Sequence, residues 1–297
     1  MKRVLLVSIV AIIVVSACLL FTFLYLQKTI QFTGTGSSVQ KSGSSPELDT
    51  TPDAGLTAAT ELQTIVDAFA EPYGDRVAVA VIDLKTGATA TKNAGTSFVS
   101  ASIYKLFVAN TVYHEIDEGR LSLTRVISTS AGSKSIDACL DVMITVSDNA
   151  CGEALGTLVG WDTIDELSRS LGLTGSVLNN YVRGNMVKDN ATTARDVALL
   201  LDMLYRGRLL SKESTEQFIQ YLKDDEINQF LPSGLPDGTV IAHKIGYLYG
   251  YVHDAGIIYG PNRDVVVVLF TGEWNTPTVE SPRVFAQLSS ALWDWMN

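Results

Sequence analysis

Hydrophobic positions change their spacing along this chain in a way that divides it into three parts. From Val4 to Leu26 they run on with no charged residue between them. As a helix this stretch would reach about 34 Å, enough to cross a hydrocarbon core of about 30 Å. Lys2 and Arg3 precede it, which favours a cytoplasmic N-terminus and puts everything downstream outside. Residues 1–30 are therefore expected to be an N-terminal membrane anchor or signal segment, with the rest of the protein at the cell surface or in the periplasm. Val15-Ser16-Ala17-Cys18 leaves lipidation at Cys18 as an alternative, although the apolar run continues through Phe23. Residues 31–55 are rich in Gly, Ser, Thr and Pro without periodicity and read as a flexible linker. Residues 56–297 have the length and patterning of one domain.

Within that domain the spacing alternates between helical and strand-like. Leu62, Ile65, Val66 and Phe69 mark a helix, and Val77, Val79 and Val81 a strand that ends in the turn Lys85-Thr86-Gly87. From Ser102 to Leu210 the pattern is helical, with helices predicted over 102–116, 138–146, 149–158, 163–171 and 192–205, and one more near 212–222. Strands return at 239–245, 250–259 and 264–271, the last two joined by the turn-rich Gly260-Pro261-Asn262-Arg263. A final amphipathic helix is predicted over 283–296. Strands at both ends with helices between predict an α/β fold, in which one antiparallel sheet flanked by helices is joined to an all-helical lobe.

Composition removes several functions. The chain has 297 residues, 22 basic against 32 acidic, for a net charge of −10, which disfavours nucleic acid as a partner. With 46% apolar and 18% charged residues it is neither disordered nor low-complexity. Its 3 cysteines do not make a disulfide scaffold, and His114, His243 and His253 are scattered, so no metal site is expected. A monomer is the simplest expectation.

Candidate chemistry lies in three short motifs. Ser102-Ile103-Tyr104-Lys105 puts a hydroxyl and an amine on one helical face, where a lysine can activate a serine nucleophile. The same spacing in Ser38-Val39-Gln40-Lys41 of the linker cautions that it is weak alone. Ser147-Asp148-Asn149 sits between two helices, where an Asp or Asn also serves simply as an N-cap. Lys244-Ile245-Gly246 falls in a strand, where a Lys suits a carboxylate and a Gly admits a ligand backbone.

In this order the motifs resemble the Ser-x-x-Lys, Ser-Asp-Asn, Lys-Thr-Gly set of class A β-lactamases and penicillin-binding proteins. The resemblance takes in Val79 to Gly87 before the nucleophile and Thr192 to Asp196 after the central loop. It implies that Ser102 is the nucleophile, Lys105 its activating partner and Ser147 a proton shuttle. It implies further that Asn149 binds the substrate amide, that Lys244 holds a carboxylate with Gly246 alongside, and that the backbone N–H groups of Ser102 and Tyr247 form an oxyanion hole. The implied substrate is a β-lactam, opened through an acyl-serine without a cofactor. A D-alanyl-D-alanine peptide of the cell wall is the alternative, and a non-turning-over penicillin or peptidoglycan sensor a third.

The chain departs from that family pattern in several places. The stretch 178–192, where class A enzymes carry the Glu that activates the deacylating water, has no Glu, and Asp189 is its sole carboxylate. Asp189 is a surrogate base or a loop-closing partner of Arg183 or Lys188. Ile245 stands where a hydroxyl residue usually helps grip the carboxylate, and His253 is the basic residue at hand for the same task. Slow deacylation is the expectation. Cys139 and Cys151 flank the Ser147 motif at the ends of two helices. If these run antiparallel, the pair can close a disulfide in an oxidising compartment, and otherwise they are two buried thiols.

Overall fold

The computed structural model describes residues 52–178, 189–248, 250–272 and 280–297. Contacts divide the chain into two units, Met1–Ser44 and Ser45–Asn297, and all the described residues belong to the second. The expected anchor, Cys18 and most of the expected linker lie outside them. Among the described residues no helix is long and apolar enough to cross a membrane.

Five strands make the central antiparallel sheet: β1 (Val77–Asp83), β2 (Thr89–Lys92), β7 (Ile241–Leu248), β8 (Tyr251–Tyr259) and β9 (Asp264–Thr271), in the order β2-β1-β9-β8-β7. The N-terminal and C-terminal pieces thus share one sheet, joined where Val77 to Asp83 pair with Thr271 to Val265. Alternate side chains of these strands go to opposite faces. Ala78, Ala80, Val266, Val268 and Phe270 face the helical lobe. Val77, Val79, Val265, Val267 and Leu269 face α1 (Pro52–Ala70) and α8 (Glu280–Met296). Because both faces are covered, β9 reads as an unbroken apolar run rather than an alternating one.

The helical lobe comprises α2 (Tyr104–Asp117), α3 (Ile136–Thr145), α4 (Asn149–Val159), α5 (Trp161–Ser170), α6 (Ala194–Tyr205) and α7 (Lys212–Lys223). α2 is its axis: every residue from Lys105 to Tyr113 is buried, as expected for a helix with neighbours all round. Side-chain caps start its neighbours, with Ser135, Asp148, Thr193 and Ser211 each accepting from a backbone N–H three residues on.

Two small antiparallel pairs were not predicted. β3 (Ser97–Val99) pairs with β6 (Ala191–Thr193), and β4 (Val126–Thr129) with β5 (Gly132–Ser135). The expected helix over 192–205 accordingly begins at Ala194, because Thr192 is a strand residue and Thr193 the cap.

Candidate active site

Ser102 does not lie in an α-helix, as the spacing predicts, but in the 3₁₀ turn Ala101–Ile103 that leads into α2. The turn is tightly held. Ala101 adopts φ +44°, a left-handed conformation that costs a non-glycine residue on the order of 1–3 kcal/mol. Ser100 N–H donates to the Asn190 carbonyl at 2.7 Å. From the other side β7 approaches so closely that a Cβ on Gly246 would stand 3.0 Å from Ile103 Cγ1 and 3.2 Å from the Ser100 carbonyl. Gly246 therefore admits the Ser102 turn itself, where a ligand backbone was expected. Substituting Gly246→Ala should shift the Ser102 turn by a few tenths of an ångström and slow serine acylation roughly tenfold. Thermal denaturation alongside active-site labelling checks this, the loss of rate exceeding what the unfolded fraction explains.

Lys105, one α-helical position into α2, is fully buried. Its Nζ donates to the Ser147 carbonyl at 2.6 Å, to Ser147 Oγ at 3.1 Å and to Asn149 Oδ1 at 2.8 Å. Ser102 Oγ, the partner expected from the spacing, is not among these. Three acceptors match the three donors of an ammonium. On loss of a proton the amine keeps two donors and can accept from the Ser147 hydroxyl. Burial, and then the charge of Lys244, push its pKa down to about 7, against the smaller opposing pull of Asp148 and Glu153.

Ser147 and Asn149 are placed by the junction of α3 and α4. Ser147 takes φ +59°, and Asp148 caps α4 by accepting from Cys151 N–H at 2.7 Å. The middle residue of the motif is thus the cap, and the two flanking ones face the lysine. The structure joins Cys139 to Cys151 by a disulfide, with Cα atoms 5.1 Å apart and the two residues 12 positions apart in sequence. In the chain-entropy view such a loop contributes about 3 kcal/mol.

Lys244, expected to hold a substrate carboxylate, is fully buried and donates to Asp225 Oδ2 at 3.3 Å, and it is not among the residues that line the pocket. Its charge is felt by Lys105 instead. Beside it His243 Nδ1 lies 3.0 Å from Asp254 Oδ1, and the aspartates raise the His243 pKa against burial.

His253, expected to serve the same carboxylate, is wholly buried, and burial pushes its pKa down to about 4. Nε2 lies 2.7 Å from the Val99 carbonyl while Thr271 N–H points at Nδ1 from 3.3 Å. Nδ1 also lies 2.8 Å from the Val252 carbonyl, and with its pKa so depressed the ring is neutral at pH 7 and offers no charge to a carboxylate. Ile245 packs on the opposite face of the sheet, among the residues under α1 and α8.

These elements leave an open pocket at the junction of β7 with the helical lobe. Ser102, Asn149, Tyr247 and Leu248 line it, with Tyr104, Trp161, Glu153, Asp189 and Asn190 on its other walls. Tyr247 is about half exposed at 47%. Residues 179–188, with Arg183 and Lys188, lie outside the described residues. Among the described residues no group of three or more His, Cys, Asp or Glu side chains is arranged to hold a metal ion.

A serine on a strained turn, with a buried lysine of depressed pKa beside it, is the equipment of nucleophilic acyl transfer. Residues 57–296 match the family model described as the Beta-lactamase enzyme family. The chain belongs to that family. A β-lactamase of Kitasatospora aureofaciens is 26% identical over 248 residues, covering 73% of this chain and 79% of that one. Among solved structures, a β-lactamase from Sphaerobacter thermophilus superposes with a TM-score of 0.71 at 25% identity over 80% of this chain and 97% of that one. A variant of PBP-A, held as an acyl-enzyme with penicillin G, superposes with a TM-score of 0.72 at 23% identity over 80% and 96%. The antiparallel sheet with its helical lobe is the fold of these β-lactamase-like neighbours.

Sequence reasoning missed Asp225, Glu153, Tyr104 and Trp161. Glu153 carried a readable signal, as it stands one helical turn after Asn149 and on the same face. Asp225 carried none, since nothing in a loop carboxylate announces a lysine 19 positions away.

Proposed function

We propose that the domain is a serine hydrolase that opens β-lactams through an acyl-Ser102 intermediate. The observation that supports this reading best is the bridging of Ser147 and Asn149 by a buried Lys105 with a pKa near 7, beneath a pocket that Ser102 lines.

Acylation on this reading begins when the neutral Lys105 amine leaves one of its present partners for the Ser102 hydroxyl and takes its proton. Ser102 Oγ attacks the lactam carbonyl, and the oxyanion is met by the N–H groups of Ser102 and Tyr247. Ser147 delivers a proton to the leaving nitrogen and is resupplied by Lys105, to which it is already bonded. Asn149 takes the substrate's side-chain amide. Lys244 acts at one remove, by holding down the pKa of Lys105. The penicillin acyl-enzyme of the structurally similar PBP-A variant makes the same intermediate a natural expectation here. The absence of Glu from 178–192 favours a second reading, a D-alanyl-D-alanine peptidase of the cell wall. The apolar stretch from Val4 to Leu26 supports a membrane-tethered domain outside the cytoplasm under either reading.

Intact-mass spectrometry of the full-length chain tests the proposal. One penicillin mass should be added, and none to Ser102→Ala. Labelling by D-alanyl-D-alanine peptides but not by penicillins would favour the second reading. No labelling by either class would refute the serine-hydrolase assignment.

A further inference from the structure

The pocket holds a carboxylate that the acylation scheme does not use. We propose that Glu153 is the general base that activates water for hydrolysis of the acyl-Ser102 ester, acting from helix α4 rather than from the loop before β6. This rests on the serine-hydrolase reading and extends it to the second half of the reaction.

Glu153 lines the same pocket as Ser102 and Asn149. It follows Asn149 by four residues in α4, so the two side chains share a helical face. α4 is pressed against the base of the site: a Cβ on Gly152 would stand 3.1 Å from Lys105 Cε and 2.8 Å from the Tyr104 hydroxyl. The carboxylates whose charge reaches Lys105 are Asp148 and Glu153. Asp148 is committed to capping α4, which leaves Glu153 as the one free to meet a water.

A surface role explains Glu153 less well. Its helical neighbours four positions away are Asn149 and Thr157, so it has no i,i+4 cation to pair with. Its side chain is exposed, but it borders the pocket that Ser102 lines. Asp189 also lines that pocket, and the test below separates the two carboxylates.

In the proposed step the Glu153 carboxylate takes a proton from water as the water oxygen bonds to the ester carbonyl carbon. The tetrahedral intermediate then collapses, the bond from carbon to Ser102 Oγ breaks, and the proton returns to Ser102 Oγ. The products are the free carboxylic acid and the regenerated serine, with no other reactant consumed.

The test follows penicillin acyl-enzyme by intact mass in the full-length chain, in Glu153→Gln and in Asp189→Asn, at pH 8 where Lys105 is largely neutral. Glu153→Gln should acylate at the wild-type rate and lose its acyl group about 100-fold more slowly. Asp189→Asn should slow deacylation by less. Deacylation of Glu153→Gln at the wild-type rate would overturn the inference. So would accumulation of acyl-enzyme in Asp189→Asn alone, or an equal slowing of both steps in Glu153→Gln, which would mark a structural role. A wild-type chain that never labels would remove the serine-hydrolase reading and this inference together.

Discussion

Mixed with excess chromogenic cephalosporin, the protein should open one equivalent per chain in a fast burst and then settle to a slow steady state. The groups needed for acylation are in place: Ser102 lines the pocket, and Lys105 is fixed by three hydrogen bonds to Ser147 and Asn149. Hydrolysis of the ester needs a water both positioned and deprotonated, a task worth about 100- to 10,000-fold, or roughly 3 to 5 kcal/mol of barrier. No Glu stands in 178–192, and Glu153 is an exposed side chain with no hydrogen bond fixing its carboxylate among the described residues. A base held by nothing but its own rotamers forfeits part of that factor, because orientation is much of what a general base contributes. Deacylation is therefore expected to be the slow step. Stopped-flow absorbance checks this, with a burst amplitude equal to the protein concentration and an acyl-enzyme mass that persists through the steady state. A single linear phase with no accumulated acyl-enzyme would show that water is activated as efficiently as the serine is. If that phase becomes a burst in Asp189→Asn, Asp189 is the base.

The same residues show how far periodicity and spacing carry an argument. β9 was readable to its ends, since Asp264–Thr271 is an apolar run bounded by a turn and a glycine. The end of β7 was misjudged: the expected strand stops at Ile245, but pairing continues through Gly246, Tyr247 and Leu248 to Val252 and Tyr251. A glycine reads as a breaker in isolation, whereas here it is what lets β7 lie against the Ser102 turn. The pairs β3–β6 and β4–β5 span three or four residues each, too short for alternation to register, and β3 finds its partner about 95 positions away in sequence. Tertiary contact makes those strands, not local preference.

Roles assigned by motif fared differently from positions assigned by motif. Ser102, Asn149 and Tyr247 do meet at one pocket, and Lys105 lies beneath it. Lys244 and His253 were expected to supply positive charge to a ligand, and each is instead sealed by partners that no local spacing reveals. Asp225 lies in the loop after α7 and takes Lys244, while the Val99 carbonyl at the end of β3 takes His253. A buried cation needs a partner to offset its desolvation, and a buried imidazole without a carboxylate stays neutral. Sequence shows which side chains can carry charge. Which of them keep it depends on burial, and burial is a property of the packed chain.

Acylation should be governed by a single ionisation near pH 7, that of Lys105. In the proposed acylation the neutral amine is the form that accepts the Ser102 proton. The acylation rate constant should therefore fall about tenfold per pH unit below that value and level off above it. Burial is the first cause of the shift and the charge of Lys244 the second, which gives the prediction a second arm. Replacing Lys244 and Asp225 together, as Lys244→Met with Asp225→Asn, removes the neighbouring cation without leaving a buried charge unpaired. The Lys105 ammonium is then opposed by less repulsion, so the ionisation should move to higher pH. Lys105→Ala removes the base altogether and should lower acylation by about 100- to 10,000-fold, with a flat profile. Stability provides an independent reading of the same group. The folded-state pKa lies below the ordinary lysine value of 10.5, so between the two the unfolded chain binds more protons. This residue's contribution then makes the fold more stable as pH rises from about 7 towards 10.5. Single-turnover acylation of the wild type, Lys105→Ala and the double variant, measured across pH 5 to 9, decides the matter. A wild-type profile that stays flat through neutrality would mean that Lys105 does not take the serine's proton. The catalytic lysine would then be a positioning residue, holding Ser147 and Asn149 where the substrate needs them.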